Sequence, residues 1–292
     1  MTSRTMPMPV TSEPVPRAGM LPALPSARES TRLAWHQAVE RAVDVMRGSI
    51  ADPLTLDALA RSALLSPYHF HRVFRLVTGI PPGRYLTALR MAEAKRLLLC
   101  TSQRVTDVCF AVGFESLGTF TTRFGQLVGV APQELRRLAE LHGGRSLTSL
   151  AGAGTYRRGS DSCLSGWLDG PDDAGCFAVV GLFERAVAQG FPVACAMVAE
   201  TPGGFRVDHV APGTYCPLAV GFPQAPTVLD AILLEPQQLL VGTSPQPISL
   251  LHGQPGANVR LRMGRPAAVD PPIVFAAPLI AAQASGRTAR TP

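Results

Sequence analysis

The feature that most constrains this chain is an internal repeat at an offset of fifty residues. Asp57 matches Asp107, Ser66 matches Ser116, Phe70 matches Phe120, Phe74 matches Phe124, Gly79 matches Gly129 and Pro82 matches Pro132. Each copy reads as a short helix, a turn, a Ser able to cap the next helix, a Phe-x-x-x-Phe stripe, then a Gly stop and a Pro restart. That grammar is a helix-turn-helix written twice. The short helices are expected from Leu56 to about Ala63, after Thr55 as a cap, and from Thr106 to Val112, with Gly113 supplying the turn. A helix from about Gly83 to Leu99 joins the copies and would span roughly 25 Å. Two reading helices held by such a rod could enter successive major grooves, which lie about 34 Å apart on B-DNA. Ahead of both copies, "TRLAWHQAVERAVDVMRGSI" is an amphipathic helix expected to close the first bundle.

Helical spacing then sorts the side chains. In the first copy Phe70, Phe74 and Val77 share a core face, while Tyr68, Arg72 and Arg75 share the opposite arc with His71 at its edge. Arg can pair bidentately with guanine, Tyr and His can donate hydrogen bonds or stack on thymine methyls, and Arg75 can hold the backbone. Free backbone amides at the Ser66 end offer a phosphate site. In the second copy Gly118, Thr121, Thr122 and Gly125 lie opposite a stripe of Phe120, Phe124 and Leu127, with Leu117 and Arg123 flanking and Ser116 as the matching cap. Small side chains there let the backbone approach the groove floor but reach few base edges, so this helix reads as the weaker, more shape-dependent one. The alternative for either helix alone is an ordinary solvated amphipathic face. His69, His36 and Trp35 are expected to pack or face solvent.

Charge supports a polyanionic partner for this half. Residues 1–142 hold 17 Lys/Arg against 11 Asp/Glu, whereas 143–292 hold 10 against 10, so the whole net charge of +6 sits in the first half. No apolar stretch is long enough for a membrane span, and the Pro-punctuated start lacks a signal peptide's continuous apolar core. A cytoplasmic protein without a membrane partner is expected. The six cysteines show no C-x-x-C spacing and read as reduced core residues, with no metal site and no cofactor.

"VTDVCFAVGFESLGTFTTRFGQLVGVAPQELRR" resembles the signature of AraC/XylS family transcription regulators. Val105, Val108, Ala111, Gly113, Phe114, Ser116, Phe120, Arg123, Phe124, Gly129, Pro132 and Arg136 fall at that family's motif positions, and "SPYHFHRVFRLVTGIPPGRYL" resembles the companion helix. The resemblance covers roughly residues 55–137. It implies a seven-helix unit contacting double-stranded promoter DNA through two helices, with Tyr68, His71, Arg72 and Arg75 at positions that face DNA. Leu117, Gly118 and Thr122 stand where some relatives carry longer polar groups, and Cys109 stands at a usual alanine position, which suggests packing. Many members carry a sugar-binding barrel ahead of the DNA unit; here the order is reversed.

From about Cys163 the apolar residues alternate or cluster in runs of four to eight between Pro and Gly. Strands are expected in "CFAVVGLFE", "FPVACAMVA", the G-x-F-x-V…P-G-x-Y stretch, "QLLVGT", "PISLL", "NVRLRM" and "PIVFAAPLI", with a short helix near "TVLDAILL". The expected fold is therefore multidomain α and β: an N-terminal all-α tandem helix-turn-helix and a C-terminal all-β antiparallel sandwich. The boundaries read as a flexible Pro-rich arm at 1–30, the DNA-binding domain at 31–142, a Gly/Ser-rich linker at 143–162, the sandwich at 163–283 and a tail at 284–292. The G-x-F-x-V…P-G-x-Y stretch resembles the transthyretin-like, carboxypeptidase-regulatory type of sandwich, which implies a binding or structural module. Asp208 and His209 are adjacent and should point to opposite faces of a strand, and no nucleophile elbow or His-x-x-x-His pair is present, so no enzyme activity is expected. The expected function is sequence-specific transcription regulation through two major-groove recognition helices. The alternative is a protein-interaction module tethered to DNA with little sequence preference. RNA polymerase and a small-molecule effector or protein partner on the sandwich are candidate partners.

Overall fold

The computed structural model describes residues 27–151, 154–156, 162–170, 175–184, 190–244, 246–251 and 257–288. Seven helices come first among them: α1 (Ala27–Gly48), α2 (Leu56–Ser62), α3 (Pro67–Thr78), α4 (Pro82–Cys100), α5 (Val105–Ala111), α6 (Leu117–Val128) and α7 (Pro132–His142). α1 starts inside the segment read as a flexible arm, and the rest of that arm lies outside the described residues.

The repeat is exact in one half and shifted in the other. α3 and α6 are both twelve residues long, start fifty apart, and end on left-handed glycines, Gly79 and Gly129. α2 and α5, however, are related by 49 residues: buried Leu59, Ala60 and Ala63 correspond to buried Val108, Cys109 and Val112. The second turn is therefore one residue longer, and the match of Asp57 with Asp107 is a coincidence of letters rather than of position. This also corrects the start of α5, which is Val105 and not Thr106. The left-handed residue of each turn is Leu64 in one copy and Gly113 in the other. Glycine is required at 113 because a Cβ there would stand 2.6 Å from the Ala51 carbonyl oxygen.

Nine strands follow among the described residues: β1 (Gly154–Tyr156), β2 (Ser162–Asp169), β3 (Phe177–Phe183), β4 (Ala194–Val198), β5 (Gly203–Val210), β6 (Gly213–Phe222), β7 (Leu240–Thr243), β8 (Ile248–Leu250) and β9 (Ala257–Arg262). Between them α8 (Val228–Leu233) opens with a capping box of Thr227 and Asp230, and α9 (Ala277–Thr288) ends the described chain. The larger sheet has the order β1-β4-β3-β6-β7 with β8 also on β6, and the smaller is β5-β2-β9. Two sheets are thus present as expected, with three departures. β2 runs parallel to β9, so the sandwich is not wholly antiparallel. β2 itself begins inside the stretch read as linker. The run "PIVFAAPLI" forms no strand; its second half begins α9.

β3 and β4 are buried at every residue, which explains their continuous apolar runs. Alternate side chains serve two cores. Ala178, Val180 and Leu182 pack between the sheets with Leu164, Val207 and Leu261. Phe177 and Val179, on the other face, join a core that also contains Leu98, Val112, Phe120, Phe124, Val128 and Leu135 of the helical half together with Ile232 and Leu279. A third core belongs to the first helix-turn-helix: Val39, Met46, Leu59, Phe70, Val73, Phe74 and Tyr85. α4 therefore spans two cores, one at each end.

The segment read as a linker, 143–162, carries a 3-10 turn (Leu147–Leu150) whose two leucines are buried in the shared core. The C-terminal segment straps back over the helices. Arg47 donates to the Ala268 carbonyl at 2.9 Å, Tyr85 to the Asp270 carbonyl at 3.0 Å, and the Ala276 amide to the Val128 carbonyl at 2.9 Å. Tyr85 is buried, and that burial pushes its phenol up to about 12.

Candidate nucleic-acid interface

Each candidate reading helix is seated by its aromatic stripe. Phe70 and Phe74 meet edge to face at 5.4 Å and Phe74 meets Tyr85 at 5.4 Å; in the second copy Phe114 meets Phe120 edge-on and Phe120 meets Phe124 at a tilt, both at 5.6 Å. The stripe residue completing each core is not the one that spacing picked. Val73 and Val128 are buried, while Val77 and Leu127 are only half-buried. Thr78, the counterpart of Val128, is tolerated in the core because its hydroxyl donates to the Phe74 or Ile80 carbonyl, at 2.8 and 2.9 Å.

The opposite faces are open. Ser66, Tyr68, His71, Arg72 and Arg75 are all exposed, Tyr68 at 83%. Ser116, Leu117, Gly118, Thr122 and Arg123 are exposed and Thr121 is half-buried. The caps differ between copies: Ser116 accepts from the Thr119 amide at 3.4 Å, whereas Ser66 makes no side-chain cap bond and Pro67 begins the helix. The expectation that Ser66 caps α3 is corrected accordingly. Without Ser66 in that role, its helix end keeps its free amides uncovered. Trp35 packs half-buried on the core of the first helix-turn-helix, His36 is exposed and His69 is half-buried.

Arginines divide into two groups by what their guanidinium groups touch. Arg41 donates to the carbonyls of Ser62 and Ala63, Arg96 and Arg137 pair with Glu93 and Glu134, and Arg47 is spent on Ala268. Arg61, Arg72, Arg75, Arg84 and Arg104 make no ion pair within 4.0 Å among the described residues. Exposed cations without an ion-pair partner are what a polyanion can neutralise. Arg123 contacts Gln126 at 3.2 Å, an exposed bond that a phosphate can replace.

A family profile described as a helix-turn-helix domain matches residues 59–138. A solved transcriptional regulator from Chromobacterium violaceum, described as containing an AraC-type DNA-binding domain, is 28% identical; the match covers 35% of this chain and 91% of that one with a TM-score of 0.34. The bifunctional transcriptional activator/DNA repair enzyme AdaA of Bacillus subtilis is 31% identical over 93 residues, 32% of this chain and 44% of AdaA, so the match spans less than half of that relative. The HTH-type transcriptional activator AarP of Providencia stuartii is 33% identical over 95 residues, 32% of this chain and 70% of AarP. The chain belongs to the AraC family. It is an AraC-type, sequence-specific DNA-binding transcription regulator.

In this AraC-family regulator two arginines hold the helix-turn-helix units in place. Arg90, midway along α4, donates to the carbonyls of Ile50 at 2.9 Å and Asp52 at 2.8 Å and lies 5.9 Å from the Phe114 ring centroid. It ties the loop before the first copy to the turn of the second. Burial lowers its pKa from the ordinary arginine value, yet it stays charged. Arg136, on α7, donates to the carbonyls of Leu98 at 2.9 Å and Thr101 at 3.1 Å and to that of Gln103, and so closes the C-terminal end of α4. Arg136 stands at one of the family's motif positions, whereas nothing in the spacing of Arg90 singled it out.

Proposed function

We propose that this AraC-family regulator reads double-stranded promoter DNA through both α3 and α6, with α3 supplying most of the base discrimination. The observation that carries this is the pairing of two equivalent helices whose arginine- and threonine-bearing faces are open while their aromatic faces are buried in separate cores. Arg72 and Tyr68 are the base readers, Arg75 and the Ser66 end grip phosphates, and His71 flanks them. On α6, Ser116, Leu117, Gly118, Thr121, Thr122 and Arg123 bring the backbone close to a groove and respond to its shape. α4, nineteen residues and about 28 Å long by helical rise, is the spacer.

Arg72→Ala should weaken binding to a selected site by about 1–3 kcal/mol and leave nonspecific binding much less affected. Selection from random duplexes followed by titration of wild type and variant measures both. Equal losses on specific and random DNA would demote Arg72 to a phosphate grip, and a selection that returns no motif would favour a tether with little sequence preference. Affinity should fall with salt at a log–log slope of about −0.9 per phosphate neutralised.

We read the C-terminal sandwich as a sensing or docking unit and assign no reaction to it. Its likeness to transthyretin-like modules supports this, as does the state of its reactive groups. Burial raises the Cys176 and Cys216 thiols, which keeps them protonated. Asp208 is held by Arg206 at 2.7 Å, and His209 occupies a left-handed bulge with φ of 59°. The second activity named for AdaA belongs to that protein. A promoter and RNA polymerase are the proposed partners.

A further inference from the structure

Between β9 and α9 the chain crosses both helix-turn-helix units and is fixed to each. On the first unit Val269 is buried in the core with Leu59, Phe74 and Tyr85, while the carbonyls of Ala268 and Asp270 accept from Arg47 at 2.9 Å and from the Tyr85 hydroxyl at 3.0 Å. On the second unit Val274 is buried in the shared core and the Ala276 amide donates to the Val128 carbonyl at 2.9 Å. The Phe275 ring lies 2.7 Å from where a Cβ on Gly129, the stop of α6, would stand. Between these anchors Pro272 and Ile273 line a cleft together with Leu89 and Ala92 of α4.

The segment therefore runs beside α4 and in the same direction, from Tyr85 in the first turn toward Lys95, with which Phe275 and Ala277 line a common wall. It is also stiff. Pro271 and Pro272 have fixed φ angles, and a residue that precedes a proline is held extended, which applies to Asp270 and to Pro271. Just before them a turn is closed on Asp270, whose carboxylate accepts from the Ala267 amide at 2.8 Å and whose own amide donates to the Ala267 carbonyl at 3.0 Å. From Val269 to Ala276 an extended chain reaches at most about 25 Å, close to the length of α4.

A connection from a sheet to its following helix needs no anchor in the first helix-turn-helix. Yet Val269 is buried there, the one residue of the sheet half in that core among those described. α4 alone would let the two units bend and twist about its ends. A second strut, fixed at both ends and lying off the helix axis, removes that freedom.

We infer that residues 266–276 are a splint that fixes the angle and separation of α3 and α6, and so sets the spacing between the two DNA segments that the protein accepts. Tyr85, Val269 and Asp270 are positioning residues and touch no DNA. This rests on the proposal that both helices read DNA. One base pair added between the read segments displaces one of them by about 3.4 Å and turns it by about 35°. A splinted pair cannot follow that change, whereas a jointed pair can, at the cost of ordering the joint on every site.

Titration of the full chain on a selected site, and on versions with one base pair added or removed between the two protected segments, tests the splint. Wild type should lose about tenfold or more on either change, the scale of a mismatched base pair. A Gly-Ser-Gly-Ser insertion between Asp270 and Pro271 slackens the segment and keeps every core side chain; it should cut that loss to about threefold or less. Tyr85→Phe combined with Val269→Ala should act in the same direction and serves if thermal melts show that the insertion prevents folding. Leu164→Ala weakens the interior between the sheets, away from the segment, and should keep the wild-type ratio. An unchanged ratio in the slackened variants, or an equal loss of discrimination in Leu164→Ala, overturns the splint.

A measurement without DNA separates the two proposals. Spin labels on Arg72→Cys and Thr122→Cys, with Cys100→Ser and Cys163→Ser, should report a narrow distance distribution that broadens on insertion. Equal widths would mean that α4 and Arg90 suffice, which also overturns the splint. Failure to select any DNA site defeats the DNA-reading proposal, and the label distances still decide whether the segment holds the two units.

Discussion

Phe124→Ala should lower folding stability by about 3–5 kcal/mol and loosen the larger sheet together with the second helix-turn-helix. The magnitude follows from complete burial: the ring has no solvent-exposed surface and stacks on Phe120 at 5.6 Å, so truncation leaves a cavity that neighbours on several elements would have to fill. The reach of the effect follows from membership of the core that also holds Phe177, Val179, Val220 and Phe222 of the sheet. Phe74→Ala should cost a similar amount but act elsewhere, because Phe74 packs in the first unit with Met46, Leu59 and Tyr85. Amide hydrogen exchange on the two variants separates these outcomes. Faster exchange in β3 and β6 is expected for Phe124→Ala and not for Phe74→Ala. Undisturbed sheet amides in Phe124→Ala would mean that the halves unfold independently despite their shared core.

Gly129→Val should be the most damaging substitution at a helix end. Its φ of 104° is a conformation that costs an L-residue about 1–2 kcal/mol, and a β-branched side chain fits it worst. The new side chain would also collide with Phe275 at 2.7 Å and Ile280 at 2.8 Å, adding about 1–3 kcal/mol of overpacking. Gly79→Val shares the backbone strain, but Gly79 is exposed, so it should lose only the first part. Chemical denaturation of the two variants measures the difference. Identical losses would show that the Phe275 ring moves aside freely.

Much of the helical half was legible because its determinants are local. Phe-x-x-x-Phe stripes, left-handed glycine stops and prolines at helix starts act within one or two turns, so the positions of α3, α6 and α4 followed from spacing. The open faces of Tyr68, Arg72 and Arg75 followed with them. Errors arose where a neighbour in space decides. Spacing placed Val77 and Leu127 in the stripe, but α4 and the sheet lie on the side of Val73 and Val128. The repeat placed Asp107 opposite Asp57, but the longer second turn shifts the preceding helix by one residue. Cys100 is exposed where a core position was expected, while Cys109, Cys176, Cys195 and Cys216 are buried.

In the sheet half, apolar runs located most strands and could not order them. β2 pairs with β9 across nearly the whole unit, and no local pattern in "SCLSGWLD" announces a parallel partner. "PIVFAAPLI" has a strand's composition, yet it crosses the back of the sheet and turns helical, since its apolar groups are buried equally well against α6 and α7.

The amino-acid order by itself determined that two equivalent helices would each bury an aromatic ridge and expose a face able to meet DNA, because caps, stops and a 3.6-residue period act between near neighbours. Only the tertiary structure decided that the second helix and the sheet share one core, and that Arg90 ties the two helix-turn-helix units together. Those outcomes depend on contacts between residues far apart in the chain, and such contacts form only when whole faces have been paired.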